Sequence, residues 1–161
     1  MTARLDHANL IVRDIDETTR FLQTALPDFR VRATGDGMTG ARWSHVGNDV
    51  TYLALNEATD DSAEQWVPYG GTPGLNHLGF EVDDAEALRD RMRGAGYEDT
   101  TVPNSHPART RVYFHDLDGN DWEFVQYLTD DPDKRNDYTL PDSVVRPVGR
   151  TRAGHDRRAP T

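Results

Sequence analysis

Cysteine is absent from the 161 residues, which excludes a disulfide framework and thiolate chemistry. No apolar run approaches the roughly 20 residues that a membrane span needs. The opening MTARLDHANLIV also lacks the basic-then-apolar layout of a secretory leader, so a cytoplasmic location is the default expectation. Lysine is nearly missing: Lys134 is the single one, beside 17 arginines and 21 aspartates. A salt-adapted host or a GC-rich genome would each favour that balance. Apolar residues are scarce too, at 35%, so the chain is expected to build one compact domain on an economical core.

Charge is unevenly spread. From Ser143 onward five arginines face one aspartate, a local +4, so residues 1–142 carry −14 of the net −10. So acidic a body repels nucleic acid and acidic lipid surfaces. The stretch 143–161 reads as a basic, solvated, disordered tail.

What the chain does contain is the same unit twice. Leu5-Asp6-His7-Ala8-Asn9-Leu10 recurs 70 residues later as Leu75-Asn76-His77-Leu78-Gly79-Phe80, and Gly47-Asn48-Asp49 recurs 72 residues later as Gly119-Asn120-Asp121. Each copy opens with a short alternating strand, 6–12 or 76–82, that sends its histidine and its Leu/Val or Leu/Phe/Val residues to opposite faces. A helix follows, opened by Asp14 or Asp16 in one copy and Asp83 or Asp84 in the other. The helical apolar faces are Phe21, Leu22 and Ala25, then Leu88, Met92 and Ala95, with Gly94 and Gly96 as terminators. Three strands complete each unit, at about 28–34, 40–46 and 50–57, then 97–102, 109–115 and 121–128.

The expected fold class is therefore α+β. A single domain, 1–142, holds two βαβββ modules at about 5–57 and 75–128. The Pro- and Gly-rich segment 58–74 links them, and an extension, 129–142, wraps across the body or a second subunit. The economical packing pairs the sheets so that the histidine faces enclose an open cleft, with helices outside.

Two histidines at repeat-related positions on the face assigned to the cleft make His7 and His77 metal-ligand candidates; a lone strand histidine is more often structural. Glu123 is the candidate carboxylate, because a carboxylate among Trp122, Phe124 and Val125 needs a partner. Its plain alternative is an edge-strand surface residue. Two imidazoles and one carboxylate suit several first-row divalent ions and leave coordination positions open.

These duplicated βαβββ units, each opening on a histidine strand, resemble the vicinal oxygen chelate superfamily, which includes glyoxalase I, fosfomycin-resistance transferases, methylmalonyl-CoA epimerase, extradiol dioxygenases and bleomycin-binding proteins. The resemblance spans about Leu5 to Tyr127 and includes the phrase Asp118-Gly119-Asn120-Asp121-Trp122-Glu123. It implies one divalent ion on His7, His77 and Glu123, with Fe2+ favoured and Mn2+, Zn2+, Ni2+ or Co2+ as alternatives, and a homodimer. Aligning the Gly-Asn-Asp anchors puts Thr51 opposite Glu123, where glyoxalase I has a fourth ligand. Glu57 is the substitute to consider.

The second module looks most like the extradiol ring-cleavage dioxygenases. His106, Val112-Tyr113, Asp116, Gly119 and Glu123 fall at that family's spacings, with Leu117 in place of the usual proline. The likeness implies that His106 and Tyr113 are catalytic-pocket residues, with Asn9, Thr51 and His115 lining the pocket. It also leaves a question, because Thr51 replaces an acid–base histidine and threonine has no useful proton-transfer pKa: either His45, His106 or His115 substitutes, or the chemistry is different. The resemblance thus implies a metal-dependent enzyme acting on a small-molecule substrate that binds through two oxygens, with ring-cleavage oxidation favoured. Glyoxalase- or epimerase-type chemistry, thiol transfer to an epoxide antibiotic and non-enzymatic drug sequestration are the alternatives.

Overall fold

In the computed structural model, residues 3–38, 40–60, 67–71, 73–103 and 105–139 are described; the tail 143–161 and part of the 58–74 linker lie outside them. The first module runs β1 (His7–Val12), α1 (Ile15–Ala25), β2 (Arg30–Asp36), β3 (Arg42–Gly47) and β4 (Tyr52–Glu57). The second runs β5 (His77–Glu81), α2 (Ala85–Gly94), β6 (Glu98–Asp99), β7 (Arg109–His115) and β8 (Asp121–Tyr127), followed by a single turn, α3 (Pro132–Arg135). Each module is a four-stranded mixed sheet, ordered β1-β4-β3-β2 and β5-β8-β7-β6, whose first and last strands pair in parallel. The α+β class and the doubled βαβββ unit are as the sequence leads one to expect. No described helix is long and apolar enough to cross a membrane.

The helices form where their caps and stripes coincide. Asp14 accepts from the backbone N–H groups of Asp16 and Glu17, and Asp84 from that of Ala87, satisfying donors the first turn leaves open. Phe21, Leu22 and Ala25 are buried on α1, as are Leu88 and Met92 on α2. Ala95, expected on that apolar face, is instead the exposed C-cap. Gly96 stops the helix at φ +88. Its N–H reaches Arg93 O and that of Tyr97 reaches Met92 O, the paired closure that a left-handed residue at this position permits.

The modules meet on their helix-covered sides. Arg91 of α2 donates to the Thr24 and Ala25 carbonyls at the end of α1, at 2.7 and 2.9 Å. The Phe21 ring lies 5.0 Å from Tyr97 and 5.8 Å from Trp122, and Phe29 lies 5.7 Å from Phe80. One apolar cluster thus spans both modules, and each fully buried aromatic in it contributes roughly 1.5–3 kcal/mol. The expectation that the histidine faces of one chain close on each other needs correction. The scarce large apolar residues lie on the helix side of both sheets, so the shared core forms there. The opposite face of module 1 stays open, with Ile11 73% exposed.

Strand β6 is shorter than the expected 97–102. Asp99 accepts from the Thr101 N–H, and the Thr101 hydroxyl takes the Tyr113 N–H, so side chains replace ladder bonds and end the strand. Asp99 also receives Arg89 at 2.7 Å and Arg93 at 2.5 Å. Burial works to raise its pKa, but the Thr101 and Arg89 interactions outweigh it and hold the group at about 2. The turn between β7 and β8 is organised by buried Asp116, whose carboxylate accepts from Asp118 N, Asn120 N, Asn120 Nδ2 and Trp122 Nε1, all within 2.9–3.0 Å. Gly119 supplies the left-handed residue at φ +78.

Two outcomes follow. Asp116→Ala strands those donors and lowers stability by about 3 kcal/mol, read as a fall in the urea midpoint. Asp99 has a folded-state pKa below its unfolded one, so its contribution is present above about pH 4 and fades as pH falls toward 2. Asp99→Asn accordingly costs about 1 kcal/mol at pH 7 after allowance for solvent screening, and the deficit closes in acid, as thermal melts across that range will register.

Candidate metal centre

Strand alternation decides which side chains reach the open faces. On β8, Trp122 and Phe124 are fully buried against the helix side, which turns Glu123 to the other face. Glu123 pairs in register with Gly79 of β5 and Tyr113 of β7, so His77, two residues before Gly79, shares its face. His77 Nε2 and Glu123 Oε2 lie 3.1 Å apart. Two ligand atoms each about 2.1 Å from an ion in adjacent positions stand about 3 Å apart, so this donor pair fits a divalent cation.

Both outer atoms of the pair are held. The Tyr113 hydroxyl donates to Glu123 Oε1 at 2.6 Å, and the Tyr69 hydroxyl lies 2.6 Å from His77 Nδ1 and 3.4 Å from Asp121 Oδ2. Nε2 and Oε2 are therefore the atoms turned toward each other. Burial pushes the Glu123 carboxyl upward, but hydrogen bonds from His77 and Tyr113, with the charges of His77 and Arg111, more than offset it and the net shift is downward. A carboxylate held ionised is what a cation requires.

His7 stands on the other module. Its Nδ1 lies 2.9 Å from Asp6 Oδ2, its side chain is 42% exposed, and its ring stacks on Tyr52 at 4.8 Å. Beyond it His45 lies 4.7 Å from Tyr52 and 5.0 Å from Trp43, with Arg32 over the Tyr52 ring, making a nearly continuous aromatic wall. Asn9, on the same face, accepts from Asn56 at 2.8 Å. Among the described residues of one chain, no three His, Asp or Glu side chains gather as a metal site. The structure brings His77, Glu123 and Tyr113 together and leaves His7 apart from them.

Three other candidates move. The Thr51 hydroxyl donates to Asp6 O in the turn before β4, and strand register makes Ala54, not Thr51, the counterpart of Glu123: Asn9 pairs with Ala54 as Gly79 pairs with Glu123. The Gly-Asn-Asp anchors misled because they occupy opposite ends of their turns, Gly47 closing β3 and Asp121 opening β8. Glu57, three residues beyond Ala54, then has the wrong parity for a fourth ligand, and it pairs with Arg42 at 3.2 Å. His106 is buried at 4% exposure. Its Nδ1 accepts from Ala108 N at 3.1 Å and its Nε2 faces Asp137 O at 2.8 Å, so it anchors the extension, as does Arg109 stacked on Tyr138. His115 lies 3.6 Å from Asp121, at the edge of the His77 cluster.

The same register pairs His45 with Ala54 as it pairs Tyr113 with Glu123, so His45 is the module 1 counterpart of Tyr113. Sequence reading passed over Tyr69 and Asp121, and named His45 only as one of three histidines that could replace the acid–base group missing at Thr51. Tyr69 sits in a Pro/Gly linker where nothing marks chemistry, whereas correct strand register would have matched His45 to Tyr113.

Comparison with curated proteins gives no match. Among solved structures, the chain is similar to a glyoxylase/bleomycin resistance protein/dioxygenase domain from Frankia sp. EAN1pec, at 24% identity and TM-score 0.67 over 81% of this chain and 96% of that one. It is also similar to the fosfomycin resistance protein FosX of Listeria monocytogenes complexed with Mn(II) and sulfate ion, at 19% identity and TM-score 0.59 over 84% and 98%. An integron cassette protein from V. cholerae gives 23% and 0.53 over 79% and 97%. At such identities these likenesses speak for the fold alone. The family model covers residues 4–124, and on that match the chain belongs to the Glyoxalase/Bleomycin resistance protein/Dioxygenase superfamily.

Proposed function

We propose that the protein is a metal-dependent enzyme acting on a small substrate that binds through neighbouring oxygens, and that two copies build each site. His77 and Glu123 of one copy supply two ligands, and His7 of the other supplies the third. The observation that carries this reading is the His77–Glu123 pair at 3.1 Å with both outer atoms held by tyrosines. His7 is supported by the same logic: Asp6 faces its Nδ1, which turns Nε2 outward as the ligand nitrogen. A second copy is called for because His7 lies on a face that its own chain leaves open, beside exposed Ile11.

When bound, a divalent ion polarises substrate oxygens and lowers their pKa. The residues do the rest. Tyr113 holds Glu123 by Oε1, and the wall of Trp43, His45, Tyr52 and His7 from the facing module excludes water and offers a flat surface to the substrate. Ala54 carries no donor, so the set stops at three protein ligands, which counts against a four-ligand glyoxalase I arrangement. FosX of Listeria monocytogenes was solved with Mn(II) and, as an E126Q mutant, with Mn(II) and 1S,2S-dihydroxypropylphosphonic acid; Mn2+ therefore joins Fe2+ as an ion to test first. Ring-cleavage oxidation, favoured on sequence, becomes the second reading: Tyr113 lies against Glu123, but the reaction must proceed without His106, whose two nitrogens are engaged elsewhere.

Elemental analysis and calorimetry are expected to find one divalent ion per chain, with Glu123→Ala and His77→Ala reducing affinity at least a hundredfold. Absence of any bound ion, and no rise in melting temperature on adding one, would overturn the reading in favour of drug sequestration. Complementation tests the shared site. His7→Ala and Glu123→Ala copies, each inactive alone, should on subunit exchange recover about a quarter of the wild-type sites, since half of the dimers are mixed and each holds one intact site. A site contained in one chain would recover none. An Fe2+-loaded sample with a catechol panel, beside a Mn2+-loaded one with epoxides, separates the two chemistries.

A further inference from the structure

The linker between the modules does more than connect them. Tyr69 is the one non-glycine residue with positive φ among those described, at +60, and it is flanked by Pro68 and by Gly70-Gly71. Backbone of this kind is uncommon outside glycine and costs on the order of 1 kcal/mol, so something must hold it. Its N–H donates to Asn76 Oδ1 at 2.8 Å, next to His77 itself. The result is a hydroxyl placed 2.6 Å from His77 Nδ1 and 3.4 Å from Asp121 Oδ2, with Asp121 buried and paired in register with His77.

We infer that Tyr69 is a positioning residue of the metal centre, reaching in from the linker to govern which nitrogen of His77 carries the proton. This rests on the assignment of His77 and Glu123 as ligands. A tyrosine suits the task because its hydroxyl both donates and accepts. When Nε2 holds a proton and gives it to Glu123 Oε2, the Tyr69 O–H donates to Nδ1. When Nε2 is bare, the proton sits on Nδ1 and is given to the Tyr69 oxygen, whose own O–H then turns to the Asp121 carboxylate. His77 and Tyr69 each keep one proton in either arrangement, so Nδ1 stays paired in both tautomers, and the arrangement with the bare Nε2 is the one that leaves this nitrogen to a cation. A carboxylate or carbonyl in place of the hydroxyl would accept from Nδ1 but could not donate to it; a phenyl ring would do neither. Outer-shell partners of this type set ligand orientation and typically change metal affinity 10–100-fold.

The test uses the full chain, labelled with nitrogen-15, with Zn2+ as a diamagnetic probe. Long-range proton–nitrogen spectra of wild type, with His77 assigned by its loss in His77→Gln, are expected to place the ring proton on Nδ1 and the metal on Nε2. Tyr69→Phe keeps the ring and removes the hydroxyl. It should move the His77 nitrogen signals in metal-free protein and weaken Zn2+ at least tenfold by calorimetry, with the amide spectrum reporting that the fold is intact. Asp121→Asn, read the same way, should shift the ring signals in the same direction. Unchanged His77 signals and Zn2+ affinity within twofold in Tyr69→Phe would overturn the inference, as would Zn2+ on Nδ1 in wild type. Should wild type bind no ion, the metal-site assignment falls, and the metal-free His77 signals still decide whether the Tyr69 hydroxyl governs that ring.

Discussion

Burial of Trp122 and Phe124 on one side of β8 is the constraint from which the site follows. Both are fully enclosed, and because successive strand residues point to opposite faces, the carboxylate between them is forced outward. The same alternation on β5 and β7 turns His77 and Tyr113 to that side. A one-residue slip would put Glu123 into the apolar core and a large aromatic ring into solvent, so the core specifies the register and the register specifies the site. The centre is precise because it stands on strands whose opposite faces cannot move.

The way the two modules join has an equally direct physical origin. With apolar residues at 35% of the chain, two separate cores would each be thin. Merging them through Phe21, Tyr97, Trp122, Phe29 and Phe80 lets α1 help to cover the second sheet as well as its own. The consequence is that the histidine faces are the ones left over. A chain that buries its helix sides internally offers His7 and the His77–Glu123 pair on separate faces, which is why the proposed three-ligand site calls on a second copy. The duplication that produced two similar faces also let them diverge. Module 2 carries the carboxylate, the supporting tyrosine and the linker tyrosine. Module 1 has alanine and histidine at the first two positions and an aromatic wall between its histidines.

Several residues of the ring-cleavage spacing pattern serve the architecture, for a common reason. Asp116 and Gly119 belong to a turn in which one carboxylate satisfies four donors, Trp122 Nε1 among them, and His106 fastens the extension through both ring nitrogens. Asp116 and Gly119 stand at a fixed spacing before Glu123 because the strand pair carrying that glutamate needs its turn closed. Spacing alone does not distinguish a residue that touches substrate from one that holds the ladder in place.

The sequence by itself determined the duplicated βαβββ unit, narrowed each helix cap to a pair of aspartates, marked most of the buried helix stripes and singled out His77 and Glu123 as candidate ligands. All of these depend on local periodicity and on groups a few residues apart. Only the tertiary structure decided that the modules meet on their helix sides, that Ala54 rather than Thr51 answers to Glu123, and that Tyr69 reaches His77 from the linker. Those outcomes depend on strand register and on contacts between segments distant along the chain, where two turns containing the same Gly-Asn-Asp can hold it at opposite ends. Local pattern carries no measure of which buried surface is larger, and that comparison selected the faces that joined.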